Sequence, residues 1–202
     1  MPFRFWVKKS TFVLVSALLL GTGACQDDGK AAPEVPRTQQ AYDVVSFLDQ
    51  EANALTAKKA AVRKTVSKEG KVNEEKIFTS LNWTEELAPF ADADINKPAL
   101  KGLFDEQTFT NAQGQQVRTY KAKEDASTNV QEVTYVLDAQ GQLMQLDAVI
   151  VQENMMFNTK KLLHLEAQAG PSPRLLRYRL DETQKLLLVG AERYTVTGEV
   201  TP

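Results

Sequence analysis

Three places in the 202-residue chain bring together residue types able to do chemistry: Cys25, His164 and the run Asp92-Ala93-Asp94-Ile95-Asn96. Cys25 is the sole cysteine and His164 the sole histidine. A catalytic histidine needs a nucleophile or a metal beside it, and usually a carboxylate to orient it. No serine stands in a Gly-x-Ser-x-Gly elbow, and no spacing of His, Cys and carboxylates outlines a zinc site of three or four ligands. His164 lies among Leu162, Leu163 and Leu165, and strand alternation puts it on one face with Leu162 and Glu166. It reads as a half-exposed strand histidine, and nothing in the sequence leads one to expect a polar cluster around it. The Asp-x-Asp-x-Asn run opens like a calcium loop, which then needs glycine at position six and a bidentate glutamate at position twelve. Lys97 and Leu103 occupy those positions, so a turn held by local side-chain hydrogen bonds is expected instead, with no metal and no cofactor. Gly102, Gly114 and Gly141 stand singly, so no glycine-rich phosphate loop is present.

Cys25 has a different chemistry written around it. Arg4, Lys8 and Lys9 precede an apolar run from Thr11 to Leu20, and Gly21, Thr22, Gly23 and Ala24 lead into the cysteine. That order is a secretory signal, and its apolar core is shorter than the roughly 20 residues a membrane-spanning helix requires. A lone cysteine cannot close an internal disulfide. The segment resembles the leader of bacterial lipoproteins. The resemblance implies that the Cys25 thiol takes a diacylglyceryl group, that residues 1–24 are removed, and that the freed amine is open to acylation. The partner so implied is a membrane, reached through covalent lipid. An aspartate directly after the cysteine would imply retention at the inner membrane; Gln26 stands there, which implies the outer membrane. Asp27 and Asp28 resemble the acidic export signal of Bacteroidetes surface lipoproteins, so Gln26, Asp27 and Asp28 are the expected sorting residues. Trp83 to Phe90, followed by Asp94 to Ala99, is also similar to a stretch in such lipoproteins and brings no activity with it.

Positioning these residues falls to the remaining chain. The leader holds three of the 24 basic residues and none of the 26 acidic ones, so the rest carries a formal −5. That mild acidity disfavours nucleic acid as a partner. Arg177-Tyr178-Arg179 is the only place where aromatic and basic residues interleave. Residues 25–40 contain Pro33 and Pro36 and read as lipidated cysteine plus tether; residues 41–202 suffice for one domain. Val45, Leu48, Ala52, Leu55, Val62 and Val66 recur at steps of three and four, predicting a long helix from Ala41 to a stop at Gly70. Short helices are expected from Glu74 to Leu81 behind an Asn73 cap, from Thr84, and from Pro98 to near Phe104. From Val117 the period becomes two. Strands are expected at Val117–Lys123, Val130–Leu137, Gln142–Val151, Lys160–Gln168, Arg174–Leu180, Lys185–Glu192 and Arg193–Val200. Turns at Asp138–Gly141, Ala169–Pro173 and Asp181–Gln184 would link them as antiparallel neighbours. The expected class is α+β, a long N-terminal helix plus short helices packed on a C-terminal antiparallel meander sheet. The expected role is a non-enzymatic binding or accessory lipoprotein of the cell envelope, recognising an unknown protein. The alternative is a carrier of an apolar ligand or lipid in a sheet–helix cleft, the arrangement of half-barrel lipoprotein carriers.

Overall fold

The computed structural model describes residues 40–186 and 190–201. Cys25, Gln26, Asp27 and Asp28, with the leader and all of the tether before Gln40, lie outside the described residues.

Helix α1, Val44–Ala57, starts where the Asp43 carboxylate accepts from the Ser46 backbone N–H at 3.0 Å. That satisfies one of the donors a helix leaves unpaired at its start. Its buried residues, Val44, Phe47, Leu48, Glu51, Ala52 and Leu55, fall on one stripe. The chain leaves the helix through Lys58 and Lys59, the latter at φ 51°, and enters strand β1, Ala61–Lys68. The long helix to Gly70 is therefore overturned. Val62 and Val66 are four residues apart, a spacing that lies on one face of a helix and equally on one face of a strand. Gly70 is no helix stop: Glu69 and Gly70, both at positive φ, form the two-residue turn of a hairpin.

Strand β2, Lys71–Phe78, is the second arm of that hairpin and occupies the expected helix from Glu74 to Leu81. A short helix α2 follows at Trp83–Leu87, with Asn82 rather than Thr84 as its cap. Two 3₁₀ turns, Ala88–Ala93 and Pro98–Leu100, then lead into β3, Phe104–Thr110. β4 (Gln116–Ala122), β5 (Val130–Leu137), β6 (Leu143–Glu153) and β7 (Phe157–Ala167) continue as a meander. β8, Leu175–Leu186, runs straight through Asp181–Gln184, and the expected strand Lys185–Glu192 spans the end of β8 and the start of β9, Gly190–Thr201. The result is a nine-stranded antiparallel sheet in the order β2-β1-β9-β8-β7-β6-β5-β4-β3. The α+β expectation with a long N-terminal helix is corrected accordingly: the fold is predominantly sheet, and its N-terminal hairpin pairs with the last strand.

One face of the sheet is covered by α1, α2 and the 3₁₀ turns. Tyr135, Leu146, Leu165 and Tyr178 form a cross-strand row on that face, packed with Trp83, Leu87, Phe90 and Leu55. Specific bonds fix the two layers together. The Tyr178 hydroxyl donates to Glu86 at 2.5 Å, and Lys64 reaches the same carboxylate at 2.7 Å. The Tyr178 ring crosses β9 at Gly198, where a Cβ would lie 2.1 Å from a ring carbon. On α1, the fully buried Glu51 carboxylate accepts from the Ser172 hydroxyl at 2.7 Å and from the backbone N–H groups of Arg174 and Leu175 at 2.5 and 2.9 Å. The expected Ala169–Pro173 loop is thereby pinned to the helix.

Candidate functional site

Among the described residues, the opposite face of the sheet carries no helices. Because side chains alternate along a strand and partners across an antiparallel ladder share a face, three consecutive strands bring Asp147, His164 and Arg179 into one row. Gln145, Glu166 and Arg177 form the adjoining row. His164 Nδ1 lies 2.6 Å from Asp147 Oδ1, and its Nε2 2.8 Å from Glu166 Oε1. The Gln145 amide donates to the second Asp147 oxygen at 2.6 Å, and Arg177 forks onto both Glu166 oxygens at 2.8 Å. A neutral imidazole has one donor and one lone pair, whereas the imidazolium donates from both nitrogens. Two carboxylates facing two ring nitrogens therefore favour the charged form of His164.

The electrostatics follow from those contacts. The Asp147 hydrogen bond raises the His164 pKa above its ordinary value, against the opposing pull of burial, and Glu166 adds to the rise. Burial pushes Asp147 up, yet hydrogen bonds from His164 and Gln145 outweigh it and leave the group lowered. Glu166 is lowered chiefly by Arg177. One row further along, Arg193 and Arg179 bracket Asp181 and hold its pKa at about 2.

Between the His164 chain and the Asp181 cluster runs a groove of about 390 Å³. Val149 and Leu162 form its apolar floor, with Leu162 40% exposed, and Glu132, Asp147, Arg179 and Arg193 are among its walls. A larger and more polar cleft, about 770 Å³, opens between the 3₁₀ turns and the ends of β5, β6 and β7. Asp92 and Lys161 meet there at 3.2 Å.

The structure thus gives His164 the polar neighbours the sequence offered no reason to expect. The missed signal was register: in a meander, the alternating Gln145 and Asp147 on β6 and Arg177 and Arg179 on β8 must flank β7. His164 does share its face with Leu162 and Glu166, at 31% side-chain exposure. No cysteine lies among the described residues, and Thr134, the hydroxyl next to Asp147 in its row, is bonded to Thr119 at 2.9 Å.

Of the Asp92-to-Asn96 run, Asp92 stays exposed and Ala93 to Asn96 are buried. Asn96 Oδ1 accepts from the backbone N–H groups of Gln40 and Ala41, its amide donates to the Ala41 and Tyr42 carbonyls, and its own N–H donates to Asp94 Oδ1. The run clamps the segment entering α1. Among the described residues no group of three or more His, Cys, Asp or Glu side chains is placed to hold a metal.

The sheet–helix space where an apolar ligand would sit is occupied by Trp83, Phe90, Leu87, Ile95 and Leu55, each at most 1% exposed. No helix among the described residues is long and apolar enough to cross a membrane. Comparisons with protein-family models, curated proteins and solved structures found no match for this chain.

Proposed function

We propose that this chain is a lipid-anchored lipoprotein of the outer membrane whose domain is a non-enzymatic binding module, with the helix-free sheet face as its recognition surface. One observation carries the recognition half: the groove over Val149 and Leu162, an apolar floor with charged walls. A small apolar centre ringed by fixed charges is the anatomy of a protein-contact patch. Two features favour binding over catalysis. Both ring nitrogens of His164 are already engaged by carboxylates, which leaves no lone pair for a general base. The tightly filled sheet–helix space likewise favours a contact surface over an internal carrier site. The anchoring half rests on Cys25 and the leader before it.

Each half has its own test. Metabolic labelling with palmitate followed by fractionation should show the label and the membrane association lost together in Cys25→Ser. A Cys25→Ser chain that still labels and still sediments with membranes sinks the anchor. For the recognition face, a photoreactive phenylalanine analogue is placed at Leu162 and, as control, at Thr110 on the exposed edge strand β3. Discrete envelope adducts from position 162 and none from 110 are expected. Equal yields from both positions, or none from either, would falsify the assigned face.

A further inference from the structure

The sheet ends in an apolar tip that its turn chemistry does not call for. Hairpins β6–β7 and β8–β9 extend past the core: Gln152, Glu153, Gln184, Lys185 and Gly190–Tyr194 are exposed, so neither face is covered there. At the β6–β7 turn, Asn154 Oδ1 accepts from the Met156 and Phe157 N–H groups at 2.8 and 2.9 Å, and Asn154 N–H donates to the Phe157 carbonyl. This closed turn leaves Met155 94% and Met156 74% exposed. Phe157 pairs with Leu186 at the end of β8, which is itself 38% exposed. Turn positions favour Gly, Asn, Asp and Ser, so two neighbouring methionines held out by an asparagine clamp need a reason outside the fold. Exposed apolar groups clustered at one end mark an interaction surface.

The tether and the lysines behind the tip together point to the partner. Lys185 and Lys160 are exposed on the helix-free face and sit about one and three residues back from the tip, roughly 3–10 Å at the rise of an extended strand, with the acidic Glu153 in the row of Lys185. Interfacial segments bury apolar groups about 5–10 Å into the headgroup–acyl boundary, where lysines behind them meet anionic headgroups. We infer that the Met155–Met156–Leu186 tip docks shallowly onto the bilayer in which the Cys25 lipid sits, setting the orientation of the domain on that bilayer. This inference rests on the anchoring proposed above. A few such side chains bind a membrane weakly on their own, but the chain from Cys25 to Gln40 can reach at most about 50 Å. Confinement of that kind supplies an effective concentration near millimolar and makes a weak contact persist. The loops Asp138–Gly141 and Ala169–Pro173, at the other end of the sheet, then face away from the bilayer.

The test uses the full lipidated chain in vesicles of phosphatidylcholine with about one-fifth phosphatidylglycerol, enough anionic lipid to attract lysines near the surface. Met155→Cys and, at the opposite end, Gln113→Cys each carry an environment-sensitive dye; the Cys25 thiol, bound to lipid, takes none. Quenchers placed in the acyl chains should cut emission from position 155 about twofold, the reach expected of shallow burial, and leave position 113 unchanged. Met156→Asp should abolish the quenching at 155 with the protein still in the vesicles. Vesicle-bound protein whose position 155 stays unquenched overturns the docking alone, as does equal quenching at 113. Shielding that fades when the protein is diluted within the vesicles would mean a second copy covers the tip, and also overturns it. Protein that labels at Cys25 and stays out of the vesicles defeats the anchor, and the docking with it.

Discussion

Glu51 shows how much one side chain can determine. It is the only acidic residue on the buried stripe of α1, and it faces a loop rather than a cation in tight contact: Arg174 Nε is 3.8 Å away, while two backbone N–H groups and a hydroxyl donate directly. A buried donor left without an acceptor costs its full desolvation, about 1–3 kcal/mol. Glu51→Ala strands three donors at once and should lower the unfolding free energy by about 3 kcal/mol or more, read from urea titrations. Glu51→Gln keeps one acceptor oxygen and should lose about half as much. Equal stability of wild type and Glu51→Ala would mean that water takes over the loop's donors. From sequence, the same residue reads only as a polar interruption of an apolar stripe. Its role depends on a loop more than 120 residues away, which no local pattern encodes.

Among elements, β9 has the tightest steric requirement. Gly198 faces the covered side, where the Tyr178 ring lies against the strand and is buried to 3% exposure. Glu86 holds the hydroxyl end of that ring from α2, so the ring cannot swing away from an added methyl without breaking the bond. Gly198→Ala should cost about 1–3 kcal/mol, the usual penalty for overpacking. In a Tyr178→Ala background the same change should be nearly neutral, and this coupling in a double-mutant cycle distinguishes the clash from a simple loss of strand propensity.

Elements also show what the sequence could and could not reveal. Val130–Leu137 is found with its expected bounds, because Val133 and Tyr135 alternate with Glu132 and Thr134 in its middle and the turns on both sides carry Gly, Asp or Asn. In the sequence the N-terminal hairpin reads as helix because Val62 and Val66 satisfy both periods and Arg63 and Lys64 between them carry no β signature. β3 is not legible in the sequence because an edge strand with exposed side chains need not alternate. Asp181–Gln184 resembles a polar turn in isolation. It stays extended because Arg193 on β9 and Arg179 beside it supply the partners that its carboxylate would otherwise find in water.

At the scale of the whole molecule, the helix-free face makes stability depend on pH in two opposing directions. Asp181 is held at about 2, below the value near 3.9 expected of an unfolded chain. Its contribution is therefore complete above about pH 4 and is lost as pH falls through the folded value. Asp147 and Glu166, both lowered, act in the same sense. His164 is raised, so its contribution is complete below about 6.5, the unfolded histidine value, and is lost as pH rises through its folded value. The two limbs leave a window between about pH 4 and 6.5 in which every ion pair on this face contributes. Wild-type protein should be most stable near pH 5.5 and lose stability toward both pH 3 and pH 8.5. His164→Gln should flatten the alkaline limb and, because Asp147 and Glu166 lose a cationic partner, also weaken the acid limb. Asp181→Asn should flatten the acid limb only, by about 1–2 kcal/mol once the half-exposed arginines are screened by solvent. Because His164 is the only histidine, its titration is a single imidazole resonance in an NMR spectrum, and a midpoint at or below 6.5 would refute the bridging geometry. Urea titrations at the three pH values then measure the linkage independently of that resonance. A profile with its maximum above pH 7 would place the dominant titrating group off this face.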